Sequence, residues 1–77
     1  MKIIVTGSAG FIGYHLSKSL LDDNYEVHGI DSVNDYYDIN LKIDRLNILR
    51  EYDKFSFDKL DISNKEDLSK SFKRFNP

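Results

Sequence analysis

The 77 residues make one small domain or a piece of one, and a chain of this size buries only about 60% of its unfolded surface, so it is marginal alone. The 11 basic and 13 acidic residues are interspersed at a net charge of -2, which argues against a nucleic-acid partner or a basic membrane patch. Cysteine is absent, which excludes disulfides, thiolate metal sites and cysteine nucleophiles.

Residues 2–6 read as a buried parallel-type strand, because Ile3, Ile4 and Val5 form a short continuous apolar run rather than an alternating one. Residues 11–23 read as a helix, with Ile12, Leu16 and Leu20 at i, i+4 and i+8, Leu21 widening the stripe and Asp22-Asp23-Asn24 ending it. Met1 and Lys2 ahead of this run have the look of a secretory signal. Thr6, Gly7 and Ser8 interrupt its apolar core, however, and His15 and Lys18 follow on an amphipathic helix. No run approaches the roughly 18 apolar residues of a membrane span, and a cytoplasmic location is expected.

A second strand, 26–30, carries Val27 and Ile30 and stops at Asp31. Residues 32–38 are a polar loop with adjacent Tyr36 and Tyr37, a pair that could line a site beside Asp31 or simply anchor the loop. Helical spacing returns over 39–51, with Ile39, Leu46 and Leu49 on one side and Asp38 or Asn40 available as N-cap. A third strand, 55–60, carries Phe55, Phe57 and Leu60. Ser63 and Glu66 then have capping-box spacing, opening a third helix with Leu68, Phe72 and Phe75 as its apolar stripe and Pro77 at its end.

The order β-α-β-α-β-α with right-handed crossovers predicts an α/β fold: a three-stranded parallel Rossmann half in strand order 3-2-1, a truncated doubly wound sheet. In such a fold the first strand is central, so truncation leaves its other edge open and self-association is expected.

Gly7, Gly10 and Gly13 sit where the first strand turns into the first helix, the layout of a dinucleotide phosphate site. Gly7 serves the tight turn, Gly10 lets a pyrophosphate approach the backbone, and Gly13 allows the helix to pack closely on the sheet. The amides along Gly7, Ala9, Gly10, Phe11, Ile12 and Gly13, with the positive end of the helix dipole, then attract phosphates without a lysine. A tight turn with no ligand is the bland alternative. Asp31 lies 24 residues after Gly7, near the spacing of the acid that accepts both adenosine ribose hydroxyls, and its charge favours NAD over NADP. A turn aspartate is the alternative there, and Gly29 would keep a side chain away from the adenosine. Asn34 and Asp35 are polar loop residues that could reach the ribose. Asp61 could contact the adenine edge with Ile62 on the ring, or Asp61 could be an ordinary turn former.

Residues Thr6-Gly7-Ser8-Ala9-Gly10-Phe11-Ile12-Gly13 resemble the amino-terminal signature of extended short-chain dehydrogenases/reductases, which include nucleotide-sugar epimerases and dehydratases. Gly29-Ile30-Asp31-Ser32-Val33-Asn34-Asp35-Tyr36-Tyr37-Asp38, followed by Leu41-Lys42 and Arg45-Leu46, resembles the UDP-glucuronate 4-epimerase branch, departing from it at Ser32, where that branch commonly has Asn. The resemblance covers essentially the whole chain. It implies an NAD-binding amino-terminal segment, residues 1–77, with the adenosine contacts falling on Asp31 and the Ser32 position. In the parent enzyme it implies a nucleotide-sugar substrate, whose C4 is oxidised by hydride transfer and reduced again from the other face. The acid-base Tyr-x-x-x-Lys of that family sits well downstream. Tyr14 and Lys18 spell the same pattern, but on a helix that starts at the pyrophosphate, so Lys18 reads as a solvated residue and Tyr14 as packing beside Phe11. No catalytic residue is assigned. His15 and His28 lie on different elements without ligand-spaced partners, and no metal site is expected. A nucleotide-binding or regulatory module without chemistry is the competing reading.

Overall fold

The structure, a computed structural model, describes residues 1–33 and 39–76. Strands and helices alternate along it as β1 (Lys2–Thr6), α1 (Phe11–Asp22), β2 (Glu26–Asp31), α2 (Ile39–Leu49), β3 (Phe55–Lys59) and α3 (Lys65–Phe75). The strands are parallel with β2 between β1 and β3, the 3-2-1 order expected of a Rossmann half. Register aligns Ile3, Val27 and Phe55 across the sheet, and likewise Val5, Gly29 and Phe57. The middle strand is covered on both faces, and Val27 and Ile30 on it are fully buried, each stabilising the fold by roughly 1.5–3 kcal/mol.

Alternation along β2 sorts the two faces. Val27 joins Val5, Leu21 and Leu49 in a core closed by α1 and α2, against which Tyr14, Leu20, Tyr52 and Phe55 pack. His28 points the other way and stacks on Phe75 of α3, ring centroids 5.0 Å apart. Its Nδ1 lies 2.6 Å from Ser56 Oγ, and its Nε2 lies 3.1 Å from both Asp58 Oδ2 and Ser71 Oγ. The Ser71 hydroxyl donates to the same Asp58 oxygen at 2.6 Å, and Arg74 pairs with it as well. His28 thus fastens α3 to β2 and β3. Burial works against the Asp58 charge, but the hydrogen bonds from Ser71 and His28 and the charge of Arg74 outweigh it and hold this carboxyl below its ordinary value.

Several helix faces differ from the expected stripes. On α1 the buried positions are Ser17 and Leu21, while Ile12 is 80% and Leu16 50% exposed. The cause is steric. Gly13 lies against the carbonyl of Gly7, which turns the Gly13–Ser17–Leu21 row onto the sheet and swings Ile12 and Leu16 outward. On α2 the buried residues are Lys42, Leu46 and Leu49, with Ile39 partly exposed. On α3 they are Ser71 and Phe75, because the polar hub around His28 draws that row inward and leaves Phe72 outside.

Helix ends also shift. The N-cap of α3 is Asn64, whose side chain accepts from the Asp67 N–H at 3.2 Å, rather than Ser63. Asn40 lies inside α2 and does not cap it, and Asp38 falls outside the described residues. Helix α1 closes with Asn24 in the left-handed region, φ 69°. There the Asn24 N–H bonds to Leu21 O and the Tyr25 N–H to Leu20 O, both at 3.0 Å, which satisfies two terminal carbonyls. None of the helices among the described residues is long and apolar enough to cross a membrane.

Candidate functional site

The turn out of β1 is built around one left-handed glycine. Gly7 adopts φ +71°, a conformation costly for any residue with a β-carbon. Its N–H donates to Ile30 O at 2.7 Å, which pins the turn to the end of β2, and its carbonyl accepts from the Gly10 N–H at 3.0 Å. Gly13 is fixed by contact. A β-carbon there would lie 2.1 Å from Gly7 O and 2.7 Å from Gly7 C, both main-chain atoms. At Gly10 a β-carbon would meet only Gly7 O, at 3.3 Å, so the space in front of it is otherwise open. At Gly29 it would strike Ser8 Oγ at 2.5 Å and approach Phe55 at 3.0 Å. That glycine makes room for the protein's own turn.

Helix α1 starts at Phe11 with Gly10 as N-cap and no side-chain cap. The first helical bond runs from the Tyr14 N–H to Gly10 O at 2.9 Å, and the amides of Phe11, Ile12 and Gly13 find no main-chain acceptor among the described residues. Three donors and the positive end of the helix dipole therefore face the mouth of the turn, an arrangement suited to an anion. The mouth opens into a cleft of about 660 Å³ whose wall includes Gly7, Gly10, Phe11, Ile12, Lys42 and Arg45.

Asp31 ends β2 directly behind this turn and is buried. Its Oδ2 accepts from the Ala9 N–H at 3.0 Å and its Oδ1 from the Val33 N–H at 2.7 Å, with Lys42 Nζ at 3.4 Å from the same Oδ1. The acid thus holds the glycine-rich turn in shape. It also holds Val33, a β-branched residue at φ 49°, where backbone strain is on the order of 1 kcal/mol or more. Arg45 reaches from α2 to donate to Ala9 O at 3.1 Å, with its guanidinium 5.9 Å from the centre of the Phe11 ring.

Of the residues singled out from sequence, Gly7, Gly10, Phe11, Ile12 and Gly13 line the cleft, while Ala9 and Asp31 are buried beneath it and Ser32 follows half-buried. Asn34 and Asp35, like Tyr36 and Tyr37, lie outside the described residues. Asp61 and Ile62 are exposed in the turn between β3 and α3, away from the cleft wall. Asp61 accepts from the Ser63 N–H at 2.9 Å, and that bond holds its carboxyl below the ordinary value. Tyr14 packs into the core beside His15 rather than Phe11, and Lys18 pairs with Asp22 at 3.6 Å on the solvated face. Lys42 and Arg45 join the cleft wall with no motif of their own in the sequence beyond the family resemblance. The available signal was a lysine three residues after Ile39 and four before Leu46, a charge on the apolar side of a helix.

A strand, a glycine turn, an uncapped helix and a buried acid at the end of the next strand define a Rossmann-type half fold. The sequence profile of the GDP-mannose 4,6 dehydratase family matches residues 4–77, and the chain belongs to that family. Protein CapI of Staphylococcus aureus is 50% identical over 72 residues, which are 94% of this chain and 21% of that protein. The UDP-glucuronate 4-epimerase of Thermodesulfobacterium geofontis is 42% identical over 72 residues, 94% of this chain and 22% of the enzyme. Among solved structures, the UDP-glucuronic acid 4-epimerase of Bacillus cereus, in complex with UDP-glucuronic acid and NAD, matches with a TM-score of 0.83. It is 42% identical, and the match covers 97% of this chain and 24% of that one. The chain spans about a fifth of the length of the curated relatives it matches.

Proposed function

We propose that these 77 residues are the NAD-binding amino-terminal segment of a nucleotide-sugar 4-epimerase acting on a UDP-hexuronate or UDP-hexose. The observation that carries this reading is the mouth of the β1–α1 turn: three amides with no main-chain acceptor among the described residues, no side-chain cap and an open Gly10, in a chain whose relatives include epimerases of UDP-glucuronate. The diphosphate would take the amides of Phe11, Ile12 and Gly13, and the adenosine ribose would lie toward Asp31. Both Asp31 oxygens already accept main-chain N–H groups and Oδ1 accepts from Lys42 as well, so Oδ2 is the oxygen that retains a lone pair for a ribose hydroxyl. Ser32, Asn34 and Asp35 are proposed to border the ribose, and Asp61 and Ile62 to border the adenine.

The sugar chemistry belongs to residues outside this chain. When bound, NAD supplies a hydride acceptor, while the segment's own work is to bind and orient it. Contacts to the adenosine and diphosphate dominate, so NAD and ADP are expected to bind with dissociation constants within about tenfold of each other. Titration of the 15N-labelled chain with each nucleotide, followed by NMR, measures both. A strong preference for NAD over ADP, or no binding of either, would contradict the reading. The free edge of β1 is further proposed as a self-association surface.

A further inference from the structure

Resting on the reading of the cleft just given, we infer that Lys42 sets how sharply this site distinguishes a ribose 2′-hydroxyl from a 2′-phosphate. An acid at the end of the second strand ordinarily rejects the phosphate by charge: it accepts hydrogen bonds from the ribose hydroxyls and repels a dianion attached at the same place. That rejection depends on the acid's charge being uncompensated. Here it is compensated. Lys42 Nζ lies 3.4 Å from Asp31 Oδ1, and the two side chains are 11% and 5% exposed, so water screens the pair little.

Geometry gives the ammonium a second role. Lys42 stands in the wall of the cleft, whereas Asp31 lies behind it. A phosphate on a 2′-oxygen that is hydrogen-bonded to Asp31 would come within ion-pair range of a cation 3.4 Å from that same carboxylate. Arg45, three residues further along α2 and facing the same cleft, adds positive potential, although its guanidinium is committed to Ala9 O and the Phe11 ring. The carboxylate cannot swing away from Lys42 to recover its repulsion, because the Ala9 and Val33 amides hold one oxygen each. Asp31 therefore meets the ribose with a cation beside it rather than as a lone carboxylate. The preference for NAD over NADP that Asp31 alone would impose is softened by α2.

The test is the ratio of dissociation constants, NADP over NAD, measured by calorimetry on the chain and its Lys42→Met and Lys42→Arg variants. Restoring an uncompensated carboxylate in K42M is expected to raise the ratio about tenfold, the order expected for one unit charge at this range in a partly screened site. K42R keeps the cation and is expected to hold the ratio within about threefold of the unsubstituted chain. A K42M ratio that is unchanged or lower overturns the inference, and so does a K42R ratio that rises as far as that of K42M. Should K42M bind neither nucleotide, Lys42→Gln, which keeps a polar side chain without charge, is read by the same criterion. An unsubstituted chain that binds neither nucleotide overturns the reading of the cleft, and this inference falls with it.

Discussion

The glycines at 10 and 13 differ in what surrounds them, and that difference separates folding from binding. Gly13→Ala would drive a methyl into Gly7 O from 2.1 Å, where neither backbone can yield cheaply. It is expected to lower stability by more than about 2 kcal/mol. Gly10→Ala meets only one atom at 3.3 Å and should cost no more than about 1 kcal/mol as a poorer N-cap. Its methyl would nevertheless stand where the diphosphate must approach, and adenine-nucleotide affinity is expected to fall at least tenfold. Denaturant melts and nucleotide titration of both variants check the pair, and a G10A chain that binds as tightly as the unsubstituted one would count against the site. The glycine spacing was legible because a turn's demands are local. The role of Asp31 in holding Ala9 and Val33, its pairing with Lys42, and the collision of Gly29 with Ser8 were not legible, since each depends on which loops the sheet brings face to face.

Elements were easier to place than to rotate. All three strands and three helices fall where periodicity and turn residues put them, because short β-branched or aromatic runs bounded by polar turns leave few alternatives. Which side of α1 and of α3 faces inward was set by contacts the pattern does not encode: Gly13 against Gly7 for α1, and Ser71 with His28 and Asp58 for α3. The second contact has a pH consequence. The Asp58 carboxyl is held below its ordinary value of 3.8, so the folded state favours its ionised form. The stabilisation is present in full above that value and is lost as pH falls through the lower, folded one. Asp58→Asn is expected to lower the Tm at pH 7, where Ser71, His28 and Arg74 would lose a charged partner, and the gap from the unsubstituted chain is expected to close in acid. Thermal melts followed by circular dichroism between pH 2 and 7 measure this, and a gap that is constant across that range would contradict it.

At the scale of the whole molecule, the strand order is the one expected from the alternation of elements, and the cleft sits at the carboxyl edge of the sheet where a doubly wound fold places ligands. Among the described residues the sheet ends at β1 and β3, and the edge strand β1 carries half-buried Ile3 and Ile4 and a buried Val5, beside an outward-facing Ile12 and Leu16. An apolar open edge is a template for pairing. The chain is expected to sediment as dimers or larger species at tens of micromolar, with a monodisperse monomer as the opposing result. The central claim, that main-chain amides at the mouth of the first turn hold a diphosphate, is tested most directly by amide-resolved NMR during the nucleotide titration. The amides of Phe11, Ile12 and Gly13 are predicted to show the largest shifts, saturating together and alike for NAD and ADP. Saturable binding that leaves those three resonances unmoved would contradict the claim.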